Sequence, residues 1–150
     1  MAAGDLTLFN DFVRQICEKE IDLADDTFKI ALYTSTRAPV VTEATPVYSV
    51  TNEVSGTNYT AGGATCSAGM AVSLSGAVAS WTGGSGPHAS WSQHASGPAD
   101  IRWGILYDDT ATGKPAAGFI EFGAGADISL ADGDITFTFN ATAIAQVTRS

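Results

Sequence analysis

A chain of 150 residues with 45% hydrophobic and only 15% charged residues can build one packed core and lacks the composition of a disordered segment. Its sixteen acidic and seven basic residues give a net charge of −9, which disfavours direct contact with nucleic-acid phosphates or anionic lipid. Arg14, Lys19, Lys29, Arg37, Arg102, Lys114 and Arg149 are scattered with no basic run, and no apolar stretch nears the roughly 20 residues of a membrane span.

The first residues carry no basic segment followed by an apolar one, so no secretory leader is expected and synthesis is expected in a reducing cytoplasm. Phe9, Phe12, Val13 and Ile16 then recur at three- and four-residue intervals, which predicts an amphipathic helix from about Leu6 to Glu20, capped by Asp5 or Thr7. Asp22, Asp25 and Asp26 favour a turn after it. From Thr27 the period changes to two. Phe28, Ile30 and Leu32 alternate with Lys29, Ala31 and Tyr33, the pattern of a half-buried strand.

Ala38-Pro39 and Thr45-Pro46 mark a connection, and Val47 to Val54 has the composition of a further strand, closed by the turn residues Ser55-Gly56-Thr57-Asn58. Met70, Val72, Leu74 and Val78 alternate again. Residues 82–100 read as a long Gly/Ser-rich loop with a short strand near Ala89 to Ser92. Strands follow at Ile101 to Tyr107, Gly118 to Gly123 and Ile135 to Phe139, joined by turns at Thr112 to Pro115 and Asp132 to Asp134. The expected fold is mainly β: a single domain over 1–150, an antiparallel β-sandwich or jelly roll at about 27–147, with one N-terminal helix.

Residues suited to chemistry are few and poorly spaced. Ser90, His94 and Asp100 make a hydrolytic triad only on paper, because no Gly-x-Ser-x-Gly turn presents the serine. His88 and His94 read as solvated loop histidines without partners for a structural metal. Asp108-Asp109 and Asp132-Gly133-Asp134 have turn chemistry, not the ligand series of a calcium loop. Gly83-Gly84-Ser85-Gly86 lacks the Lys-Ser/Thr of a phosphate cradle. Asn58-Tyr59-Thr60 and Asn140-Ala141-Thr142 fit the glycosylation pattern, but without a leader they read as accidents. Cys17 and Cys66 lie outside any CxxC pattern; buried thiols are expected, with a disulfide left open. No cofactor, metal or catalytic residue is expected. Trp81, Trp91, Phe9 and Phe12 are the candidate interface anchors, ordinary packing being the alternative for each.

Three segments, 25–33 (DDTFKIALY), 53–63 (EVSGTNYTAGG) and 103–109 (WGILYDD), resemble in order and spacing the small structural proteins of tailed-bacteriophage virions. Gly118 to Gly123 and Asp134 to Phe139 follow the same pattern, so the likeness spans most of 25–140; the stretch 82–98 departs from it by its length. The resemblance implies a non-enzymatic virion component, made in the host cytoplasm. The first expectation is a head decoration or cement protein that binds the major capsid protein and other copies of itself. A tail, collar or fibre-base component is the alternative. Two readings from other classes are a carbohydrate-binding sandwich, with Trp81 and Trp91 as a stacking platform, and a hydrolase using His88 or His94.

Overall fold

The computed structural model describes residues 6–66, 70–83, 87–139 and 144–148. Asp5, Gly84-Ser85-Gly86 and the Asn140-Ala141-Thr142 triplet lie outside the described residues. The strands are β1 (Thr7–Leu8), β2 (Phe28–Thr34), β3 (Ala64–Thr65), β4 (Ala71–Ser75), β5 (Val78–Thr82), β6 (Ala89–Trp91), β7 (Ile101–Asp108), β8 (Ala116–Glu121), β9 (Ile135–Phe137) and β10 (Ala145–Thr148). One short helix, α1 (Phe12–Cys17), precedes β2. A five-stranded sheet runs β1-β8-β7-β2-β3, a three-stranded sheet runs β10-β5-β4, and β6 pairs with β9. All of these pairings are antiparallel.

The centre of the molecule is β2-β7-β8. Ile30 lies opposite Leu106, and Leu32 opposite Gly104, which in turn faces Ile120. A Cβ on Gly104 would sit 2.9 Å from both Ile120 Cγ2 and Phe122 Cε2, so the missing side chain makes room for larger neighbours. Phe28, Ile30, Leu32, Leu106 and Ile120 pack with Trp81 of β5, Trp91 of β6 and Ile135 and Phe137 of β9 in one apolar cluster. The three sheets therefore share a core, with the two smaller ones contributing mostly aromatic and branched side chains.

The opposite face of β2 departs from the half-buried strand that its alternation predicts. Ala31 and Tyr33 are as buried as their neighbours, and a second cluster joins them to Ile105, Tyr107, Ala116 and Phe9. A non-sheet segment causes this by lying over that face. Tyr48 stacks on Tyr107 at 4.5 Å between ring centroids, its amide donates to the Lys114 carbonyl, and the Ala116 amide donates to the Pro46 carbonyl. The strand expected over Val47 to Val54 is accordingly not formed. The segment touches the sheet at two isolated bridges, Val47 with Pro115 and Tyr33 with Glu53, because Pro46 and the left-handed Asn52 (φ 65°) interrupt regular pairing.

The N-terminal helix is also shorter than its periodicity predicts. Thr7 and Leu8 pair with Phe119 and Gly118 at the sheet edge, and the Phe9 amide donates to the Ala117 carbonyl. Sheet pairing therefore takes the residues that would have formed the first turns. Thr7 does not cap α1. Asp11 stands at the start and makes no capping bond to the backbone; it is bound instead by the Arg14 guanidinium. The inward residues are Phe12 and Gln15, while Val13 is 66% exposed. The turn expected at the aspartates is present: Asp22 Oδ1 accepts the amides of Ala24 and Asp25.

The alternation at 70–78 forms β4 only as far as Ser75; it does not continue through Val78, because a two-residue connection with Gly76 at φ 59° turns the chain back into β5. The strands at Ile101, Gly118 and Ile135 appear within a few residues of their expected limits. β1, β3, β5 and β10 add to the strands read from sequence. Because Trp81 contacts Phe12 at 5.6 Å and Phe28 at 5.1 Å, centroid to centroid, Trp81→Ala is expected to cost about 3–5 kcal/mol in urea unfolding. Val13→Ser, on the open side of α1, is expected to change stability by less than about 0.5 kcal/mol.

Candidate functional site

The four aromatic candidates for interface anchors take the alternative of ordinary packing and lie inside the chain's own core. Phe9 and Phe12 are buried, Trp81 is 2% exposed and Trp91 is 5% exposed. Phe9 fills the second cluster, while the other three fill the first. Loop position suggested exposure for the tryptophans, but β5 pairs on both sides and β6 pairs with β9, which turns both indoles inward. Neither ring face is open to a sugar.

The histidines separate in the same way. His88 is buried, not solvated: Nδ1 accepts the Phe139 amide at 3.1 Å and Nε2 faces the Gly83 carbonyl as donor. Those bonds select the Nε2–H tautomer and join the ends of the loop. His94 is partly exposed and its Nδ1 accepts the Ser96 amide at 3.0 Å. Among the described hydrogen bonds, none links Ser90, His94 and Asp100. Among the described residues, no group of three His, Cys, Asp or Glu is placed to hold a metal ion. Cys17 is exposed and Cys66 buried, both as free thiols, and burial pushes the Cys66 thiol up to about 12.

Acidic residues at the turns serve the backbone. Asp108 Oδ1 accepts the amides of Thr110 and Ala111; burial, then the neighbouring Asp26, pushes its pKa up to about 6. Asp109 pairs with Lys29 at 2.7 Å and with Lys114, which hold its pKa below the usual carboxylate range. An open groove of about 640 Å³ lies beside this turn, lined by Lys19, Asp22, Asp26, Val47 and Pro115 among others.

A part-buried polar arrangement is centred on Glu53. Its Oε1 accepts the Tyr59 hydroxyl and the Gly62 amide, each at 2.6 Å, and its Oε2 accepts the Tyr48 hydroxyl at 2.7 Å. Tyr59 Oη also accepts the Leu32 amide at 2.9 Å, and Tyr107 donates to the Gly62 carbonyl at 2.8 Å. Gly63 follows at φ 74°, where a Cβ would lie 1.9 Å from the Ile30 carbonyl oxygen. The carboxylate and phenols thus bind one another and the edge of β2. This is an internal clamp whose hydrogen-bonding groups are already engaged.

Two residues read from sequence only as part of an alternating pattern form an open apolar feature. Val72 is 50% exposed and Leu74 is 76% exposed, both on β4. They stand across from Trp81 and Ala79 of β5, so they continue outward the face that buries Trp81. A sequence signal for them exists: no Asp, Glu, Lys or Arg occurs from residue 54 to 99, nor from 135 to 148. No protein-family model, curated protein or solved structure matches the chain.

Two outcomes follow from the clamp. Glu53→Ala is expected to cost about 3 kcal/mol or more in urea unfolding, because three donors lose a charged acceptor; Glu53→Gln, keeping one acceptor oxygen, should cost about half as much. All four tyrosines are shifted upward, chiefly by burial: Tyr48 to about 12, and Tyr33, Tyr59 and Tyr107 further still. A raised native pKa means that their stabilisation is full below pH 10 and lost as pH rises through about 12. Phenolate absorbance should therefore stay near zero at pH 10–11 and appear together with cooperative loss of circular dichroism.

Proposed function

We propose that the chain is a non-enzymatic structural component of a tailed-bacteriophage virion, acting as a head decoration protein that bridges neighbouring capsid subunits. The division of its surface supports this reading most directly. The strands β10, β5 and β4 contain no formal charge, and β4 presents Val72 and Leu74 to the outside. An uncharged, partly apolar sheet on an acidic protein suits contact with other folded subunits. The resemblance at 25–33, 53–63 and 103–109 supplies the setting, and the most specific of these segments is the one that builds the Glu53 clamp.

The same proposal includes a sandwich-like arrangement, in which the two small sheets face the five-stranded sheet across the shared core. Negative charge would hold the protein away from the packaged genome, on the outer side of the shell. Repetition over the shell would let modest contacts act together through high local concentration. The test uses virions containing the chain, separated into heads and tails and probed with an antibody to it. Co-sedimentation with mature heads and absence from tails is the expected result. The reverse would move the protein to the tail, and absence from both would remove the virion reading.

A further inference from the structure

We propose that the open edge of β4 pairs with β4 of a second copy, antiparallel and two-fold about Ser73, so that two three-stranded sheets join into one. This deepens the assembly reading and rests on it for its biological role. In the hairpin, Ser75 faces Val78, Ser73 faces Ser80 and Ala71 faces Thr82. With a two-residue connection the closing pair is hydrogen bonded, and alternation then commits the backbone groups of Ser75, Ser73 and Ala71 to β5. Those of Val72 and Leu74 are left on the open edge.

Exposed edges are normally blunted by Lys, Pro, a bulge or an inward-pointing charge. Ala71-Val72-Ser73-Leu74-Ser75 contains none of these residues, and its pairing with β5 is in continuous register. The other edges are less suitable. β1 and β3 are two residues long and β6 and β9 three, and β10 is followed in sequence by Arg149, a charge of the kind that blunts an edge.

A second copy is the occupant because the strand is complementary to itself. A two-fold about Ser73 sets Val72 opposite Leu74 of the other copy, and Leu74 opposite its Val72. Both apolar residues then share one face, and each of these pairs exchanges two backbone hydrogen bonds. Ala71 meets Ser75, and Ser73 meets its own equivalent. Charge points the same way. Two chains of −9 repel each other over most of their surfaces, but no formal charge occurs from residue 54 to 99. This is where two copies can touch without opposing like charges. Five residues per chain bury less than the roughly 800 Å² per partner of a standard interface, so the isolated dimer is weak and gains strength when copies are already arrayed.

The test is sedimentation equilibrium of the full chain from about 1 μM to 1 mM. The wild type should show concentration-dependent dimer, and Leu74→Lys should raise the dissociation constant at least about tenfold with unchanged circular dichroism and thermal midpoint under monomeric conditions. In a Cys17→Ser background, Ser73→Cys should form a disulfide-linked dimer on mild oxidation, whereas Val13→Cys, on the exposed side of α1, should not. A wild type monomeric throughout, or a dimer that Leu74→Lys leaves intact, would overturn the pairing. So would a monomer that needs Leu74 only for incorporation into virions, since β4 would then serve a different protein. Dimerisation without any presence in virions counts against the decoration reading alone.

Discussion

Glu53 accepts two phenol hydroxyls and one backbone amide, and the geometry of the second face of the central sheet depends on that convergence. β3 pairs with β2 only at Lys29 and Ile30, leaving the edge of β2 open beyond that point. The Glu53 segment closes it: Tyr59 takes the Leu32 amide, Val54 donates to the Leu32 carbonyl, and the Thr34 amide reaches the Asn52 carbonyl. A side-chain hydroxyl thus stands where a neighbouring strand would supply a carbonyl. With that edge closed, Tyr48 can lie over Tyr107 and Tyr33 can donate to the Ser49 carbonyl, so a connection without regular structure covers half of the sheet.

Elements with strong period-two contrast were legible in the sequence. β2, β7, β8 and β9 carry apolar residues on alternate positions and have Gly or Asp turn residues at one end, before β2 and β9 and after β7 and β8, so composition and pairing agree. What escaped was set by partners remote in sequence. Thr7 and Leu8 look helical beside Phe12 and Ile16, yet an open strand more than a hundred residues onward takes their backbone. Val47 to Val54 has strand composition but is held by hydroxyl and carboxylate contacts, which no periodicity encodes. For Trp81 and Trp91 the sequence left packing and exposure both open, because their neighbours are rich in Gly and Ser; pairing with β10, β4 and β9 buried them. For the surface, alternation at 72 and 74 was readable, but alternation does not say which face is covered. The absence of charge from 54 to 99 was the available sign that this region differs from the rest.

The distribution of polar groups bears on what kind of work the molecule can do. His88 joins the ends of a loop, Asp108 shapes a turn, and Glu53 binds phenols; each has partners within the chain. Arg14, Arg37, Arg102, Lys29 and Lys114 are likewise paired with carboxylates, in contacts partly open to water and individually worth little. Polar chemistry here goes into holding shape, while the largest exposed aliphatic side chain of the three-stranded sheet, Leu74, stands at its rim. That division agrees with a protein whose role lies in contact between folded subunits.

The anchorage of the hairpin has a mechanical consequence. Of β4 and β5, Trp81 is the side chain that enters the core, where it meets Phe12 of α1 and Phe28 of β2. Force applied at the Gly76 tip therefore reaches α1 and the central sheet through this indole, and β10 through the strand pairing. A load on the hairpin is thus felt at α1 and β2, well away from the point where it is applied.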